Sequence, residues 1–239
     1  MCARTLYILQ ILFIDRPHPM SEKSLQIPFL RNVNKHTHMG DISLLLDKQQ
    51  RNSIEIQPWP VYPEYFDLPK VSFNIAHNGD SIFIKYDVEE HEVLARFKEI
   101  NDPVYRDSCV EFFIAFDDET AYYNIEFNRL GTCLGRFGME REDRIALPVD
   151  VLKTIRYDRT IRQIQSGGGA AINWTLTVEV PVGVFRFHKF NSIRYKKSKM
   201  NFFKCGDDLS QPHYLAWNNI IAPEPNFHLP EFFGRVEFI

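Results

Sequence analysis

Short stretches of alternating apolar and polar residues, separated by turn residues, are the feature that most restricts how this chain can fold. The clearest covers residues 174–180 (WTLTVEV), in which Trp174, Leu176, Val178 and Val180 alternate with polar side chains. Successive side chains of a strand point to opposite faces, so a period of two predicts a strand with one buried face. An amphipathic helix would instead need apolar residues three and four positions apart.

Similar patterns recur along the chain, and turn residues separate them. Residues 71–76 and 81–88 are predicted to be strands joined by a His-Asn-Gly-Asp turn at 77–80, whose Asn-Gly step is typical of a β-hairpin. Helix signals are limited to 148–155 and 182–187. Many short strands with a few helical turns predict an all-β fold, an antiparallel β-sandwich of the immunoglobulin type. Further strands are predicted at 108–116, 122–128, 132–137, 200–205 and 234–239.

The length of 239 residues suits a single domain of this class, and no break in the pattern marks a second core. The N-terminus differs from the rest of the chain. Residues 6–14 (LYILQILFI) are apolar, but this run is too short to span a bilayer, and no cleavage site of small residues follows it. We predict that residues 1–19 are a leader or an over-extended start, that Met20 begins the domain, and that 20–239 form it.

Charge and cysteine usage restrict the partners and the compartment. The 28 Lys and Arg residues nearly balance the 31 Asp and Glu residues, whereas nucleic acid and anionic membranes require a basic surface. Neither is therefore predicted as a partner, and no membrane span is predicted. None of Cys2, Cys109, Cys133 and Cys205 forms a C-x-x-C pair, so the sequence predicts buried reduced thiols and no zinc or redox motif. Such thiols favour a cytoplasmic protein, with export as the alternative.

Two predicted strands carry polar side chains where a ligand could meet them. Glu111 is the only charged residue in an apolar strand, and it is interpreted either as a structural ion-pair member or as an acceptor for sugar hydroxyls. Asn124, Glu126 and Asn128 share one face of the next strand. Amide and carboxylate groups suit a polyhydroxylated ligand, although a solvent-facing strand would show the same alternation.

The C-terminal stretch 201–234 mixes aromatic and polar residues in a Pro-rich loop, which is typical either of a site built on a scaffold or of a loop packed over the end of the sandwich. Acidic turns at 117–119 and 207–208 offer oxygen ligands, but neither has the spacing of the twelve-residue calcium loop. No cofactor or metal site is predicted, and a structural Ca²⁺ stays open.

Motifs of common enzyme classes are missing from the sequence. It contains no G-x-S-x-G, H-E-x-x-H, P-loop or G-x-G-x-x-G segment. No catalytic residue is therefore predicted. A glycosidase with two carboxylates stays open, because its two acids can lie far apart in sequence. Glu111 and Glu126 could lie on neighbouring strands, but no motif selects them as such a pair.

Several segments from about Ile54 onward occur in a recognisable order: NDPVYRDSCVEFFIAFD, YYNIEFN, WTLTVEVP, NFFKCGDD, HYLAWN and NFHLPEFFG. Together they resemble carbohydrate-binding module family 9, and more narrowly the stand-alone family-9-like proteins of gut Bacteroidetes. The resemblance implies a β-sandwich related to the DOMON superfamily. It also implies binding of sugar chain ends between two aromatic rings, with charged and amide side chains clasping the hydroxyls.

The same resemblance assigns roles to four residues. Tyr105 stands at the aromatic position, where family members carry a tryptophan, and Glu111 stands at the acidic position. Arg129 lies near the first clasping arginine, and Asn226 resembles the late asparagine. These roles come from the family pattern and not from the spacing alone.

The second aromatic position differs, since His228 and Leu229 follow Asn226 and Trp217 is the nearest tryptophan. We predict non-catalytic binding of a mono- or oligosaccharide, in a role connected with polysaccharide breakdown. The alternatives are a glycoside hydrolase or its accessory domain, and a protein-interaction module without a sugar slot. Haem binding lacks an axial His and Met pair. The predicted ligand-binding residues are Tyr105 and Trp217 for stacking, and Glu111, Arg129, Asn226 and His228 for hydrogen bonds.

Overall fold

The computed structural model describes residues 22–59, 68–117, 119–166 and 169–239, in which two β-sheets pack face to face. The predicted leader, residues 1–19, lies outside the described residues. The strands, numbered along the chain, are β1 (Ser24–Ile27), β2 (Asn52–Ser53), β3 (Lys70–His77), β4 (Ser81–Glu90), β5 (Cys109–Phe116), β6 (Tyr122–Asn128), β7 (Cys133–Gly138), β8 (Ile145–Ala146), β9 (Arg156–Ser166), β10 (Gly169–Pro181), β11 (Lys197–Cys205), β12 (Tyr214–Ala216) and β13 (Gly234–Phe238).

The larger sheet has the strand order β1-β13-β11-β5-β6-β7-β8, with β12 also paired to β11, and the smaller sheet has the order β2-β3-β4-β10-β9. Among the described strands, all sheet pairings are antiparallel except that of β1 with β13. The prediction of an all-β sandwich is therefore confirmed. No helix in the described part of the chain is long and apolar enough to cross a membrane.

The core between the sheets follows the period-two pattern of the sequence. Val110, Phe112 and Ile114 of β5 face the smaller sheet, and the alternate residues of β5 face outward. Phe73 of the smaller sheet stacks on Phe202 of the larger one, with ring centroids 3.8 Å apart. Aromatic rings thus fill the centre of the sandwich, where each ring buries a large apolar area.

Helical segments are short and cover the ends and outer faces. The sequence did not predict α1 (Met39–Leu46), whose Met39, Ile42 and Leu46 pack on the outer face of the smaller sheet. The helix signal at 148–155 corresponds to α2 (Val149–Leu152), and the signal at 182–187 to a single 3-10 turn. These segments close off sheet surface without changing the sandwich architecture.

The predicted hairpin at 77–80 is present, and its side chains explain the turn. The side-chain oxygen of Asn78 accepts hydrogen bonds from the backbone N–H groups of Asp80 (3.0 Å) and Ser81 (2.8 Å). Gly79 has a φ of 92°, a conformation that side chains disfavour. Strands β9 and β10 are a second antiparallel pair of neighbours along the chain, and Ser166 lies opposite Gly169 in their register.

A buried ion pair joins the two sheets near one end of the sandwich. Nζ of Lys204 in β11 lies 2.9 Å from Oε2 of Glu90 in β4. Lys204 also donates hydrogen bonds to Nε2 of His213 (2.8 Å) and to the carbonyl of Cys205 (3.0 Å). The indole N–H of Trp174 donates to Oε1 of Glu90 (2.7 Å). Burial, with Lys204 nearby, lowers the pKa of His213 to about 2, so its ring is a neutral acceptor.

Candidate functional site

A polar pocket of about 320 Å³ opens on the outer face of the larger sheet. Strands β5, β6, β7 and β11 supply its floor, and the segments 141–144 and 225–228 supply its walls. Because β5 and β6 bury their other face in the core, their outward residues are the ones available to a ligand. The lining residues are Tyr105, Glu111, Glu126, Leu134, Arg136, Arg141, Glu142, Arg144, Cys205, Asp207, Tyr214, Pro225, Asn226, Phe227 and His228.

Two carboxyl groups form the floor. Glu111 of β5 and Glu126 of β6 are directly opposite each other in the antiparallel register, and they are 3% and 5% exposed. The Cys205 thiol donates to Oε1 of Glu111 (2.9 Å), and the Asn124 amide donates to Oε1 of Glu126 (2.7 Å). Oε2 of Glu126 has no hydrogen-bond partner among the described residues. This oxygen at the floor of the pocket is therefore available to accept a hydrogen bond from a ligand.

Burial changes how this pair titrates. It raises the pKa of Glu126 to about 7, against the opposing effects of Arg144 and of the Asn124 hydrogen bond. Burial also raises the pKa of Glu111 well above its usual range, and the Glu126 carboxyl adds to that rise. Two neighbouring carboxylates repel each other in a dry environment. The pair therefore holds protons that isolated carboxyls would release at neutral pH.

Guanidinium groups line the pocket beside the carboxyls. Arg136 lies on β7, directly opposite Asn124, whereas Arg141 and Arg144 lie on the segment between β7 and β8. Nε of Arg144 donates to the carbonyl of Arg141 (3.0 Å), and its Nη1 is buried without a hydrogen-bond partner in the described structure. Burial lowers the pKa of Arg144, and Tyr122 and Glu126 oppose that shift. The wall thus has a cationic donor close to the acidic floor.

Aromatic rings form the remaining sides. Tyr105 and Tyr214 are partly exposed, and Tyr214 hydrogen-bonds the Asp207 carboxylate, which opposes the burial-driven rise in the pKa of Asp207. Phe227 stacks on Phe203 of β11, with ring centroids 4.1 Å apart. This packing anchors the C-terminal segment to the sheet, and Tyr105 and Tyr214 line the pocket beside it.

His228 is fixed by three contacts. Its ring stacks on Phe113 at 5.0 Å, and its Nδ1 lies 2.9 Å from the hydroxyl of Tyr122. Its backbone N–H donates to Oδ1 of Asn226 (2.9 Å), so the Asn226 carbonyl is used within the loop. Burial, with Arg144 and Arg141 nearby, lowers the pKa of His228 to about 2. The ring is therefore neutral and can both donate and accept.

Four of the six residues predicted from sequence line this pocket: Tyr105, Glu111, Asn226 and His228. Trp217 does not offer a ring to a ligand there. It is 3% exposed and lies between the sheets, edge-on to Phe73 and Phe202 at 6.1 and 5.7 Å. The predicted stacking role of Trp217 conflicts with this position.

Arg129 also lies outside the pocket lining. It follows the last residue of β6, and its backbone N–H donates to the carbonyl of Ser108 (3.1 Å). The sequence did not predict the guanidinium groups that line the pocket. The signal for Arg141 and Arg144 was the charged run 140–144 (EREDR) shortly after β7, and Arg136 had no signal beyond its place in the predicted strand 132–137. Of the acidic turns considered for Ca²⁺, Asp207 lines the pocket and Asp208 pairs with Arg96.

Residues 40–238 match the sequence profile of carbohydrate-binding family 9. Among solved structures, a Bacteroides uniformis protein to which carbohydrate binding has been attributed is 33% identical, with a TM-score of 0.82 over 92% of this chain and 100% of its own.

A family 9 carbohydrate-binding module from Caldicellulosiruptor kristjanssonii, solved with glucose and with cellotriose, is 12% identical, with a TM-score of 0.53 in both structures. These alignments cover 90% of this chain and 95% and 93% of that module, and they show a shared fold. No protein with a curated description matches the chain. The profile match over most of the length and the 33% identity show that the chain belongs to carbohydrate-binding family 9.

Proposed function

We propose that this protein is a non-catalytic carbohydrate-binding protein and that a mono- or oligosaccharide occupies the polar pocket. The observation that carries this proposal is the composition of the pocket wall. Partly exposed tyrosine rings, buried carboxyls and guanidinium groups meet around one cavity. A sugar ring presents C–H surfaces that pack on aromatic faces and hydroxyls that both donate and accept, so it matches each of these groups.

The contacts suggest a role for each part of the wall. Tyr105 and Tyr214 supply ring surface at the rim. Glu126 accepts from sugar hydroxyls through its unpartnered Oε2, and Arg144 donates through its unpartnered Nη1. Hydrogen bonds to charged groups are stronger than neutral ones, so the Arg144 guanidinium would orient the ring, with Glu126 as a further acceptor. The carboxyl of Glu111 lies beside them on the same floor.

The size of the pocket favours a short ligand. Its volume of about 320 Å³ is at the lower end of the range for small-molecule sites. One or two sugar rings fit such a space. Since a family 9 module from Caldicellulosiruptor kristjanssonii was solved with glucose and with cellotriose, glucose and short gluco-oligosaccharides are the first probes. A role in polysaccharide breakdown would follow if oligosaccharides bind better than monosaccharides.

The test is isothermal titration of the purified chain with glucose and with short gluco-, xylo- and manno-oligosaccharides. Tyr105→Ala is expected to remove binding, because it deletes ring surface at the rim of the pocket. Tyr157→Ala is the matched control, since Tyr157 is an exposed tyrosine on β9 of the smaller sheet, outside the pocket. Equal loss in both variants, or unchanged binding by Tyr105→Ala, would contradict the assignment of the site. Failure of every sugar to bind would favour an interaction module.

Hydrolysis of a glycosidic bond is the competing function, because most glycosidases use a pair of carboxyl groups for catalysis. Two observations support binding without hydrolysis. Glu111 and Glu126 are almost fully buried at the base of the pocket, and each accepts a hydrogen bond from a neighbouring side chain. We expect no turnover of a panel of chromogenic glycosides. Turnover that disappears in both Glu111→Gln and Glu126→Gln would instead establish an enzyme.

We also propose that the protein works in the cytoplasm. The support is chemical: Cys109, Cys133 and Cys205 are free thiols, and Cys109 lies directly opposite Cys205 in the strand register. An oxidising compartment favours a disulfide between neighbouring thiols, whereas a reducing compartment keeps them as free thiols. Alkylation of the denatured protein from freshly lysed cells should modify these thiols, and recovery of a 109–205 disulfide would argue for export.

A further inference from the structure

A cluster of two thiols and a carboxyl lies at the back of the pocket and has no role in the proposed sugar contacts other than through Glu111. The ligand atoms of Cys109, Cys205 and Glu111 all lie within 4.8 Å of one another. Sγ of Cys205 is 2.9 Å from Oε1 of Glu111, and Sγ of Cys109 is 4.0 Å from the same oxygen. All three side chains are buried.

Strand register produces this grouping. Cys109 and Glu111 are alternate residues of β5, so they point to the same outer face, and Cys205 lies opposite Cys109 on β11. The ligands of a tetrahedral zinc ion are roughly 3.5–3.8 Å apart, given metal–sulfur and metal–oxygen bonds of about 2.3 and 2.1 Å. The observed separations bracket these values, so small side-chain rotations would complete the geometry.

The charges around the cluster are compatible with a cation. A bound divalent ion would deprotonate the coordinating thiols and offset their negative charge. Arg144, whose buried Nη1 has no hydrogen-bond partner among the described residues, acts electrostatically on Glu111 and would balance the remaining negative charge.

The cluster is also accessible from solvent. Cys205 and Glu111 line the pocket, which gives an ion a path from solvent and a fourth coordination position for water. Oε2 of Glu126, buried and without a hydrogen-bond partner among the described residues, belongs to the carboxyl opposite Glu111 in the strand register, and it lies outside the group of three ligands.

We propose that Cys109, Cys205 and Glu111 bind a thiophilic divalent cation of the zinc type at the floor of the pocket. Thiolates select zinc or cadmium over hard ions such as calcium and magnesium. The sequence could not predict this site by cysteine spacing, since its two thiols come from strands 96 positions apart along the chain (205 minus 109). Metal binding by these three residues is independent of sugar binding, and it is tested in the absence of sugar.

The experiment titrates Cd²⁺ into the full chain under a phosphine reductant and follows the ultraviolet thiolate-to-cadmium charge-transfer band. Cys2→Ser is present in every protein, so that the N-terminal thiol outside the described residues makes no contribution. We expect a saturable band at one ion per chain that Zn²⁺ displaces. Affinity should rise with pH, because binding releases thiol protons.

Four variants decide the outcome. Cys205→Ser and Cys109→Ser are expected to lose the band, and Cys133→Ser, which removes a buried free thiol on the opposite face of the larger sheet, is expected to retain it. If either variant fails to fold, Glu111→Gln keeps both thiols and should weaken Cd²⁺ binding. Unchanged binding in Glu111→Gln and in Cys205→Ser, or absence of the band from the parent protein, would overturn the proposal.

Discussion

Replacement of Lys204 by methionine tests whether the ion pair between the sheets holds the sandwich together. Lys204 is fully buried and Glu90 is 4% exposed, so neither group can turn to water when its partner is removed. Lys204→Met keeps most of the length of the side chain and removes the ammonium group with its charge. It leaves the Glu90 carboxylate and Nε2 of His213 without the ammonium that both contact.

The expected loss follows from this burial. Breaking a buried pair by removing one partner costs about 3–5 kcal/mol, because an uncompensated charge stays in a dry environment. Replacing both partners is far less costly. Lys204→Met combined with Glu90→Gln removes both charges, and the glutamine oxygen still accepts from the Trp174 indole. We therefore expect the double variant to recover most of the free energy of unfolding that the single variant loses.

Urea denaturation followed by tryptophan fluorescence measures both free energies. Lys70→Met is the matched control, since Lys70 pairs with Glu89 at 2.7 Å but its side chain is 73% exposed. Exposed pairs contribute about 0–1 kcal/mol, so this variant should remain close to the parent protein. The reasoning fails if Lys204→Met unfolds like Lys70→Met, or if the double variant is no more stable than Lys204→Met alone.

Three further predictions concern the core and the pocket. Glu126→Gln should make the free energy of unfolding less dependent on pH. In the parent, folded Glu126 holds its proton up to about pH 7, whereas the unfolded chain releases it near pH 4.5, so the free energy of unfolding falls as pH rises between these values. Urea denaturation of both proteins at several pH values measures the difference. Trp217→Ala should cost about 3–5 kcal/mol, and calorimetry should find sugar binding retained by the folded fraction. Gly234→Ala should lower the melting temperature, since its Cβ would lie 2.6 Å from the Trp217 ring and 2.7 Å from the Lys23 carbonyl.

The sandwich could be predicted from sequence because each buried face imposes a period of two. Residues 71–76 and 174–180 show that period, and both are strands of the smaller sheet. The short strands β1, β2, β8 and β12 escaped prediction, and so did two longer elements, β9 and α1, for physical reasons. Strand β9 is an exposed edge with few buried side chains, so its pattern is weak, and α1 is a short segment whose helix depends on packing against Ala76 and Phe83.

The pocket was only partly predictable. Glu111 and Glu126 fall on the outward face of adjacent strands, and alternation alone gives that face. Trp217 lies just after the three-residue strand β12, which is too short for alternation to fix a direction, and pairing with β11 turns it into the core. Arg141 and Arg144 come from a loop whose position depends on the β7–β8 pairing, a contact that no local pattern encodes.

The carboxyl pair on the outer face of the larger sheet is the strongest physical argument that the pocket has a use. Its neighbours on the same face, Phe113 and Phe203, pack in an apolar cluster, and apolar residues at 111 and 126 would extend it. Burial instead raises the pKa of both acids, so holding them ionised at neutral pH opposes folding. If stability were the only requirement, apolar residues in place of the two acids would make the fold more stable. Removing the carboxylates should therefore stabilise the protein at pH 8 and weaken its ligand binding, and a variant that gained stability with full binding would place the ligand elsewhere.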